Sequence, residues 1–139
     1  KLRVNESFTY VNAKIKKVGD DVLTSTTYNF KDGQKIPGVP STKVTLGLDY
    51  EIADGLRTTA NLNYYSSSVD TYNDKIPSYS TTDLGLKYKH QNGFGLNAGV
   101  KNVFNKKYNV AQGKDPLTGN TVYSPADERT YYIGASYEF

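Results

Sequence analysis

Few residues in this chain have the types and spacing that chemistry requires. His90 is the only histidine and cysteine is absent, so no thiolate metal site and no recognisable nucleophile–base pair can form. The acids that could bind calcium through oxygen ligands are Asp20, Asp21, Asp70 and Asp74, but dispersed acids on hydrated loops are ordinary. We therefore expect no catalytic residue, no metal and no cofactor.

A second group of residues combines positive charge with aromatic rings. These lysine, arginine and tyrosine residues lie in the long connections between the predicted strands, where a cation would attract an anionic ligand and a ring would stack on it. The alternative is that they are simply hydrated or contact lipopolysaccharide phosphates. The candidate substrate residues are Tyr28, Lys35, Lys106, Lys107, Tyr108, Tyr123 and Arg129.

The elements that must position these residues are strands, because the hydrophobic period is two. Five clear runs cover residues 42–52, 57–65, 83–89, 95–101 and 130–139, and a weaker run covers 8–16 with Thr9, Val11, Ala13 and Ile15 as its apolar set. Only Thr58 is polar on the apolar side of the clear runs. Several runs approach the ~9–11 residues of a tilted membrane strand, whereas soluble strands average about 5–6.

The connections alternate between long and short. Residues 17–40, 67–78 and 105–128 are long, whereas residues 53–55 and 90–93 are tight turns, the second with an Asn-Gly pair. Outer-membrane barrels have this rhythm, with short periplasmic turns and long extracellular loops. Aromatic residues at both ends of the runs match the two interfacial belts of such barrels. The predicted fold class is therefore all-β, a transmembrane antiparallel β-barrel whose C-terminus is periplasmic.

The composition agrees with a barrel. The chain is only 37% hydrophobic and its mean hydropathy is −0.63, as expected when only alternate strand residues face lipid. A net charge of +3 is too small to indicate nucleic-acid binding. Six strands are fewer than the roughly eight of the smallest known single-chain barrels, so we expect a larger barrel with further strands N-terminal to these. A soluble all-β domain rich in tyrosine is the alternative.

Three stretches resemble the C-terminal part of TonB-dependent outer-membrane receptors. They are residues 36–50, with Pro37, Pro40 and Tyr50; residues 100–108, which read VKNVFNKKY; and residues 123–139, with Pro125, Arg129 and a terminal Tyr-Glu-Phe. The resemblance implies that residues 1–139 are the C-terminal portion of a barrel of about 22 strands that contains a plug domain. The plug and the segment that contacts the TonB complex lie outside this chain.

The resemblance also implies partners and a location. The protein would be in the bacterial outer membrane, in contact with the lipid bilayer and lipopolysaccharide, and would take up a ferric siderophore with energy from the TonB complex. The barrel-assembly machinery would read Tyr131, Ile133, Ala135, Tyr137 and Phe139. Inward-facing Arg57, Lys87, Lys89 and Lys101 are expected to pair with plug acids or with Asp49, Glu51 and Asp83 across the wall.

Three functions of the whole protein follow as hypotheses. The favoured one is a ferric-siderophore receptor, of catecholate type, because the basic and tyrosine-bearing mouth suits an anionic aromatic chelate. A haem or haemoprotein receptor of the same family would need histidine ligands from outside this chain, since its long connections contain none. A passive porin or adhesin barrel would have no plug.

Overall fold

The strands of the protein fall into one large sheet and two small hairpins. The computed structural model describes residues 1–19 and 30–139, and none of these residues forms a helix long and apolar enough to cross a membrane. The long strands are β1 (Leu2–Tyr10), β2 (Thr42–Ala53), β3 (Leu56–Tyr65), β6 (Tyr79–Lys89), β7 (Phe94–Lys101) and β10 (Thr130–Tyr137). The short ones are β4 (Ser68–Val69), β5 (Lys75–Ile76), β8 (Asn109–Lys114) and β9 (Thr121–Pro125).

The six long strands form one antiparallel sheet in the order β1-β2-β3-β6-β7-β10. Residues that pair across two strands lie on the same face of the sheet. The pairs include Leu46–Leu62, Leu84–Val100 and Ala98–Ile133. One face therefore carries the even-numbered residues of β2, β3, β6 and β7 and the odd-numbered residues of β10. We call this side the apolar face and the other the polar face. The all-β antiparallel prediction and the apolar phase of the five clear runs are confirmed.

The first strand differs from the prediction. It covers Leu2–Tyr10 rather than residues 8–16, and its pairs Val4–Leu48 and Phe8–Val44 give it the opposite apolar phase. Glu6 interrupts the apolar side of the true strand, so the period-two pattern is clearer in the residues that follow it. Those residues leave the sheet and bond to residues 34–41 instead, for example through the Ile15 amide and the Gln34 carbonyl at 2.8 Å.

The predicted tight turns join β2 to β3 and β6 to β7. Gly55 and Gly93 have φ angles of 71° and 88°, which residues with a side chain rarely adopt. Each glycine carbonyl also accepts a hydrogen bond from the next strand along the sheet, from Lys89 at 2.8 Å and from Glu138 at 3.0 Å. We call this edge of the sheet the turn end and the opposite edge, with the long connections, the loop end.

The sheet has no buried core on its apolar side. Among the described residues only Val18 and Ile76 are buried hydrophobics, whereas Phe8 and Ile133 are 71% and 84% exposed. A wide apolar surface of this kind is covered by another protein or by lipid. Strands of this length with one continuous apolar face fit the hydrocarbon layer of a membrane.

The polar face contains ion pairs between different strands, one joining β2 to β3 and one reaching across β7 from β6 to the end of β10. Arg57 donates to the Asp49 carboxylate at 2.6 Å, so the predicted pairing of these two residues across the wall is confirmed. The partner of Lys89 is different from those predicted, because its ammonium group bonds to Glu138 at 2.6 Å at the turn end. Both ion pairs lie on the side of the sheet that would line a barrel.

Candidate functional site

Three tyrosine rings and one lysine form a column across the loop end of the polar face. Lys43 on β2 lies 5.2 Å from the ring centre of Tyr65 on β3. Tyr65 stacks on Tyr79 of β6 with ring centres 4.9 Å apart, and Tyr79 stacks on Tyr108 at 3.9 Å. We call these four residues the tyrosine column.

The strand register produces most of this column. Lys43 pairs directly with Tyr65, and Tyr65 with Tyr79. Side chains at directly paired positions are about 4.5–5.5 Å apart at Cβ, so rings on successive strands stack without any distortion of the backbone. All three residues have the phase of the polar face. The column therefore lies on the inner side of the wall if the sheet is part of a barrel.

Tyr108 is not on a strand and is placed by the turn after β7. Asn102, only 5% exposed, donates its side-chain amide to the Lys106 carbonyl at 2.9 Å and accepts from the Lys106 amide at 2.8 Å. Its backbone amide bonds to Asp83 on β6 at 2.8 Å. Asn102 also has a φ angle of 50°, a left-handed conformation that asparagine tolerates better than other side chains.

A second asparagine links this turn to the chain before β10. Asn105 accepts a hydrogen bond from the Arg129 backbone amide at 2.8 Å, and the Tyr108 carbonyl accepts one from the Ala126 amide at 3.0 Å. Lys107 forms an ion pair with Glu128 at 3.3 Å. These contacts explain the asparagines and the tyrosine of the VKNVFNKKY stretch, because the asparagines hold the turn that carries Tyr108 to the column.

The environment of Tyr108 keeps its hydroxyl protonated. Partial burial raises the pKa of the Tyr108 phenol above its ordinary value, and the neighbouring Tyr65 and the acid Asp127 raise it further. At neutral pH Tyr108 is therefore uncharged and can offer its hydroxyl as a donor to a ligand.

The two small hairpins pack together above the loop end. In the β4–β5 hairpin Asp70, 3% exposed, accepts bonds from the amides of Tyr72 and Asp74 at 2.9 and 2.8 Å, and from the Gln112 side chain of β8 at 3.3 Å. Lys114 of β8 forms an ion pair with Asp74 at 3.5 Å. Asp70 thus binds protein groups, and within residues 1–19 and 30–139 no three acids, histidines or cysteines are grouped to hold a metal ion.

Comparison with known families identifies the sheet. The family model described as "TonB dependent receptor-like, beta-barrel" matches residues 1–103, about three quarters of the chain. The chain belongs to this family. Its members are receptors and transporters of the outer membrane rather than enzymes. A search of the curated proteins found no match.

Solved structures of TonB-dependent receptors have the same fold. The siderophore receptor PiuA of Acinetobacter baumannii is 20% identical, with a TM-score of 0.74 over 97% of this chain. The ferric-catecholate import receptor Fiu of E. coli is 21% identical, with a TM-score of 0.75 over 99%. The ferric citrate transporter FecA is 26% identical, with a TM-score of 0.76 over 99%. The chain spans 19%, 19% and 21% of these three proteins.

The structure brings only part of the predicted substrate set together. Tyr108 is in the column. Lys106 and Arg129 lie near it, because their backbone amides donate to the side chains of Asn102 and Asn105, respectively. Lys107 is occupied by Glu128. Lys35 is exposed and pairs with Lys14 in an isolated backbone bridge away from the column. Tyr123 is 59% exposed on β9. Tyr28 lies outside the described residues.

The predicted assembly residues share one surface of this receptor sheet. Tyr131, Ile133, Ala135 and Tyr137 pair with Val100, Ala98, Leu96 and Phe94 on the apolar face. Phe139 follows the end of β10, and its ring meets that of Tyr137 edge-on at 5.0 Å. The structure thus places the apolar stripe as predicted, while its reading by the assembly machinery stays a prediction.

Sequence reasoning missed Tyr65 and Tyr79 as functional residues. Both have the phase of the polar face at the loop ends of neighbouring strands, and that phase is visible in the sequence. Tyr65 is part of the predicted strand 57–65, and the predicted connection 67–78 ends where β6 begins, at Tyr79, but the alternation was followed only from residue 83. Following it back by four residues would have placed the two rings opposite each other.

Proposed function

We propose that this chain forms part of an outer-membrane receptor for a ferric siderophore whose iron ligands are aromatic, of the catecholate class. The tyrosine column carries the proposal, because it is an aromatic surface on the polar face, at the end of the sheet that has the long connections. Uptake would be energised by the TonB complex through a part of the receptor that this chain does not include.

The column suits an anionic aromatic chelate. The faces of Tyr65 and Tyr79 are covered by their neighbours in the column, so ligand rings would meet these two rings edge-on, and each such contact contributes about 0.5–1.5 kcal/mol. Lys43 at one end of the column supplies positive charge, and Lys106 lies in the turn that positions Tyr108. A low-dielectric wall with a few cations also concentrates anions in front of it. Tyr28, Lys35, Lys107, Tyr123 and Arg129 would form the outer part of the same mouth.

The proposal includes an orientation in the membrane. The loop end would be extracellular and the turn end periplasmic, as is the rule for barrels with alternating long loops and short turns. Strand β10 would then run from the mouth to a periplasmic C-terminus. Residues 1–139 would be the C-terminal portion of a barrel of about 22 strands, with its apolar face against lipid and its loops against lipopolysaccharide.

The named cargoes of the relatives differ, and the column favours one of them. Fiu is a ferric-catecholate receptor, whereas FecA transports ferric citrate. Citrate has no ring to stack on tyrosine, so a column of three phenols offers it only hydroxyl donors. We therefore rank catecholate above citrate. A haem receptor ranks lower, because the single histidine, His90, lies in a turn at the opposite end of the sheet.

The test measures binding of two ferric chelates to the full-length receptor in detergent. Tyr79→Ala is expected to weaken a ferric tris-catecholate by about 5-fold or more, since it removes one ring contact to the ligand of about 1 kcal/mol together with the ring on which Tyr65 and Tyr108 stack, and to leave ferric citrate binding unchanged. Tyr79→Phe should bind nearly as the wild type does. Tyr50→Ala is the matched control, because this exposed tyrosine lies on the apolar face at the turn end, outside both the column and the mouth. Equal loss in the Tyr79→Ala and Tyr50→Ala receptors would refute the assignment.

Energised transport is tested separately with radioactive iron in cells. Uptake of the ferric catecholate should require both the receptor and TonB, and binding should require only the receptor. A passive barrel predicts that uptake persists without TonB. Failure of every ferric siderophore to restore growth under iron limitation would reject the receptor proposal as a whole.

A further inference from the structure

The polar faces of β7 and β10 are complementary in side-chain size. Along this pair Gly99 faces Tyr132, Asn97 faces Gly134 and Gly95 faces Ser136. Each larger side chain thus lies opposite a glycine on the neighbouring strand. A methyl group added at Gly134 would collide with the Asn97 side chain, and one added at Gly95 would lie 2.6 Å from the Ser136 hydroxyl.

Tyr132 makes the largest of these contacts and spans two strands. The tip of its phenol covers Gly99 so closely that an added methyl group would overlap the hydroxyl oxygen and the ring carbon that carries it, and would lie 2.6 Å from the Leu84 carbonyl. Its hydroxyl extends to Gly85 on β6, where an added methyl group would be 3.2 Å from it. Gly85 and Gly99 are directly paired. The phenol therefore fills a two-glycine depression that crosses β7.

The apolar face carries no comparable restriction. Leu96, Ala98 and Val100 face Ala135, Ile133 and Tyr131, and a slip of two residues would again place apolar residues opposite apolar residues. A slip of one residue would turn every side chain to the wrong face, but a slip of two preserves both faces. The alternation that defines these strands therefore does not choose between registers that differ by two.

The polar face does distinguish these registers. A slip by two residues in one direction would place Tyr132 opposite Asn97, and a slip in the other direction would place it opposite Lys101 and Gly134 opposite Gly99. In the first case two large side chains compete for one space, and in the second a glycine pair is left without a ring to cover it. Small voids and overlaps of this kind each destabilise a packed wall.

We infer that Tyr132, seated over Gly99 and Gly85, fixes the register in which β10 pairs with β7. The inference is independent of the cargo. In this inference the apolar face determines which side of the sheet each residue lies on, and the polar face determines the register between neighbouring strands. Register matters at this strand because it is an edge of the sheet. In a closed barrel the stagger of every strand must agree with the strand number and tilt.

Disulfide formation reports the register directly. In a cysteine-free full-length receptor, Ala98→Cys combined with Ile133→Cys marks the observed pairing. Ala98→Cys combined with Ala135→Cys marks a slip that places residue 132 opposite Lys101, and Ala98→Cys combined with Tyr131→Cys marks a slip that places it opposite Asn97. Directly opposed Cβ atoms are about 4.5–5.5 Å apart, whereas diagonal ones are about 7–8 Å apart, so oxidation without a spacer distinguishes these pairs. The unaltered wall should cross-link only through the first pair.

Tyr132→Ala is expected to produce cross-links in a slipped pair, at least several-fold above the unaltered receptor. Tyr132→Phe should produce fewer than Tyr132→Ala, because the ring remains while the hydroxyl that reaches Gly85 is lost. Gly99→Ala should behave as Tyr132→Ala does, whereas Gly95→Ala is the control, since a serine hydroxyl can rotate away from the added methyl group. These measurements use folded receptor, selected by its faster migration in unheated electrophoresis samples.

Three results would overturn the inference. One is exclusive cross-linking of the first pair in folded Tyr132→Ala receptor. If that variant does not assemble, the glycine variants decide: the same cross-linking pattern in Gly99→Ala and Gly95→Ala would show that the seat of the ring does not set the register. More slipped cross-links in Tyr132→Phe than in Tyr132→Ala would also contradict it, because phenylalanine keeps a ring over Gly99 and alanine does not.

Discussion

Substitution of Asn102 by alanine should loosen the turn that carries Tyr108. The change removes two hydrogen bonds to Lys106, of 2.9 and 2.8 Å, and a weaker one to the Asp127 carbonyl at 3.4 Å. Each good bond contributes about 1 kcal/mol net. Alanine also has to keep the φ angle of 50° without a side chain that stabilises it, which costs about 1 kcal/mol more. The total is about 3 kcal/mol against local opening of the turn.

This energy predicts a measurable exchange rate. A loss of about 3 kcal/mol raises the population of the open turn about 100-fold, since each 1.4 kcal/mol is a factor of 10. The Ala126 amide is a suitable reporter, because its acceptor, the Tyr108 carbonyl at 3.0 Å, is unchanged in the variant. Its hydrogen exchange in detergent-solubilised full-length receptor should accelerate by that factor. Amides in the β2–β3 ladder should exchange as before.

Asn102→Gly separates the two contributions. Glycine loses the same hydrogen bonds but adopts the left-handed conformation freely, so the exchange of the Ala126 amide should accelerate only about 30-fold. Equal rates in the alanine and glycine receptors would show that backbone conformation contributes nothing. An Ala126 amide that exchanges within about threefold of its rate in the unaltered receptor in both variants would refute the conclusion that Asn102 holds this turn.

Three further outcomes follow from other contacts. Asp70→Asn weakens the acceptor for two backbone amides, so protease cleavage within residues 70–74 of the folded receptor should increase several-fold. Arg57→Met leaves the half-buried Asp49 carboxylate without its partner, and the Tm of the receptor should fall further than in the double variant with Asp49→Leu. The hydrogen bond from Lys89 holds the pKa of Glu138 in the folded protein below its ordinary 4.5. The stability that this contact contributes is therefore present above pH 4.5 and is lost as the pH falls through the lowered pKa of the folded protein. An NMR titration of the Glu138 carboxyl should return to the ordinary pKa in Lys89→Met.

The strands that the sequence predicts best are those whose apolar side is uninterrupted. For β2, β3, β6, β7 and β10 the phase is fixed because a lipid-facing position cannot exchange with a lumen-facing one. In β1 a single carboxylate, Glu6, breaks the apolar side, and the pattern alone shifts the strand by six residues. Strand ends are harder to predict, since β6 begins at Tyr79 through pairing with Tyr65, a partner that lies 14 positions earlier in the chain.

The site is less predictable than the fold because its members lie on different elements. Composition identifies tyrosines and lysines near the loop end, but stacking depends on which positions are opposite each other. Tyr108 reaches Tyr79 only because Asn102 turns the chain back over β6. The small hairpins β4–β5 and β8–β9 were likewise expected only as loops, since two-residue strands and an irregular ladder leave no periodic pattern.

The two faces of this sheet therefore constrain the structure in different ways. The apolar face is nearly uniform, so it specifies insertion into lipid and the side on which each residue lies, but it tolerates exchange among leucine, valine and isoleucine. The polar face is where individual residues matter: Tyr65 and Tyr79 stack because their register is fixed, and Tyr132 has a seat over Gly99 that would help to fix it. A register slip by two would separate neighbouring residues of the tyrosine column if it occurred between β3 and β6. Accurate strand alignment and the proposed ligand surface thus depend on the same face.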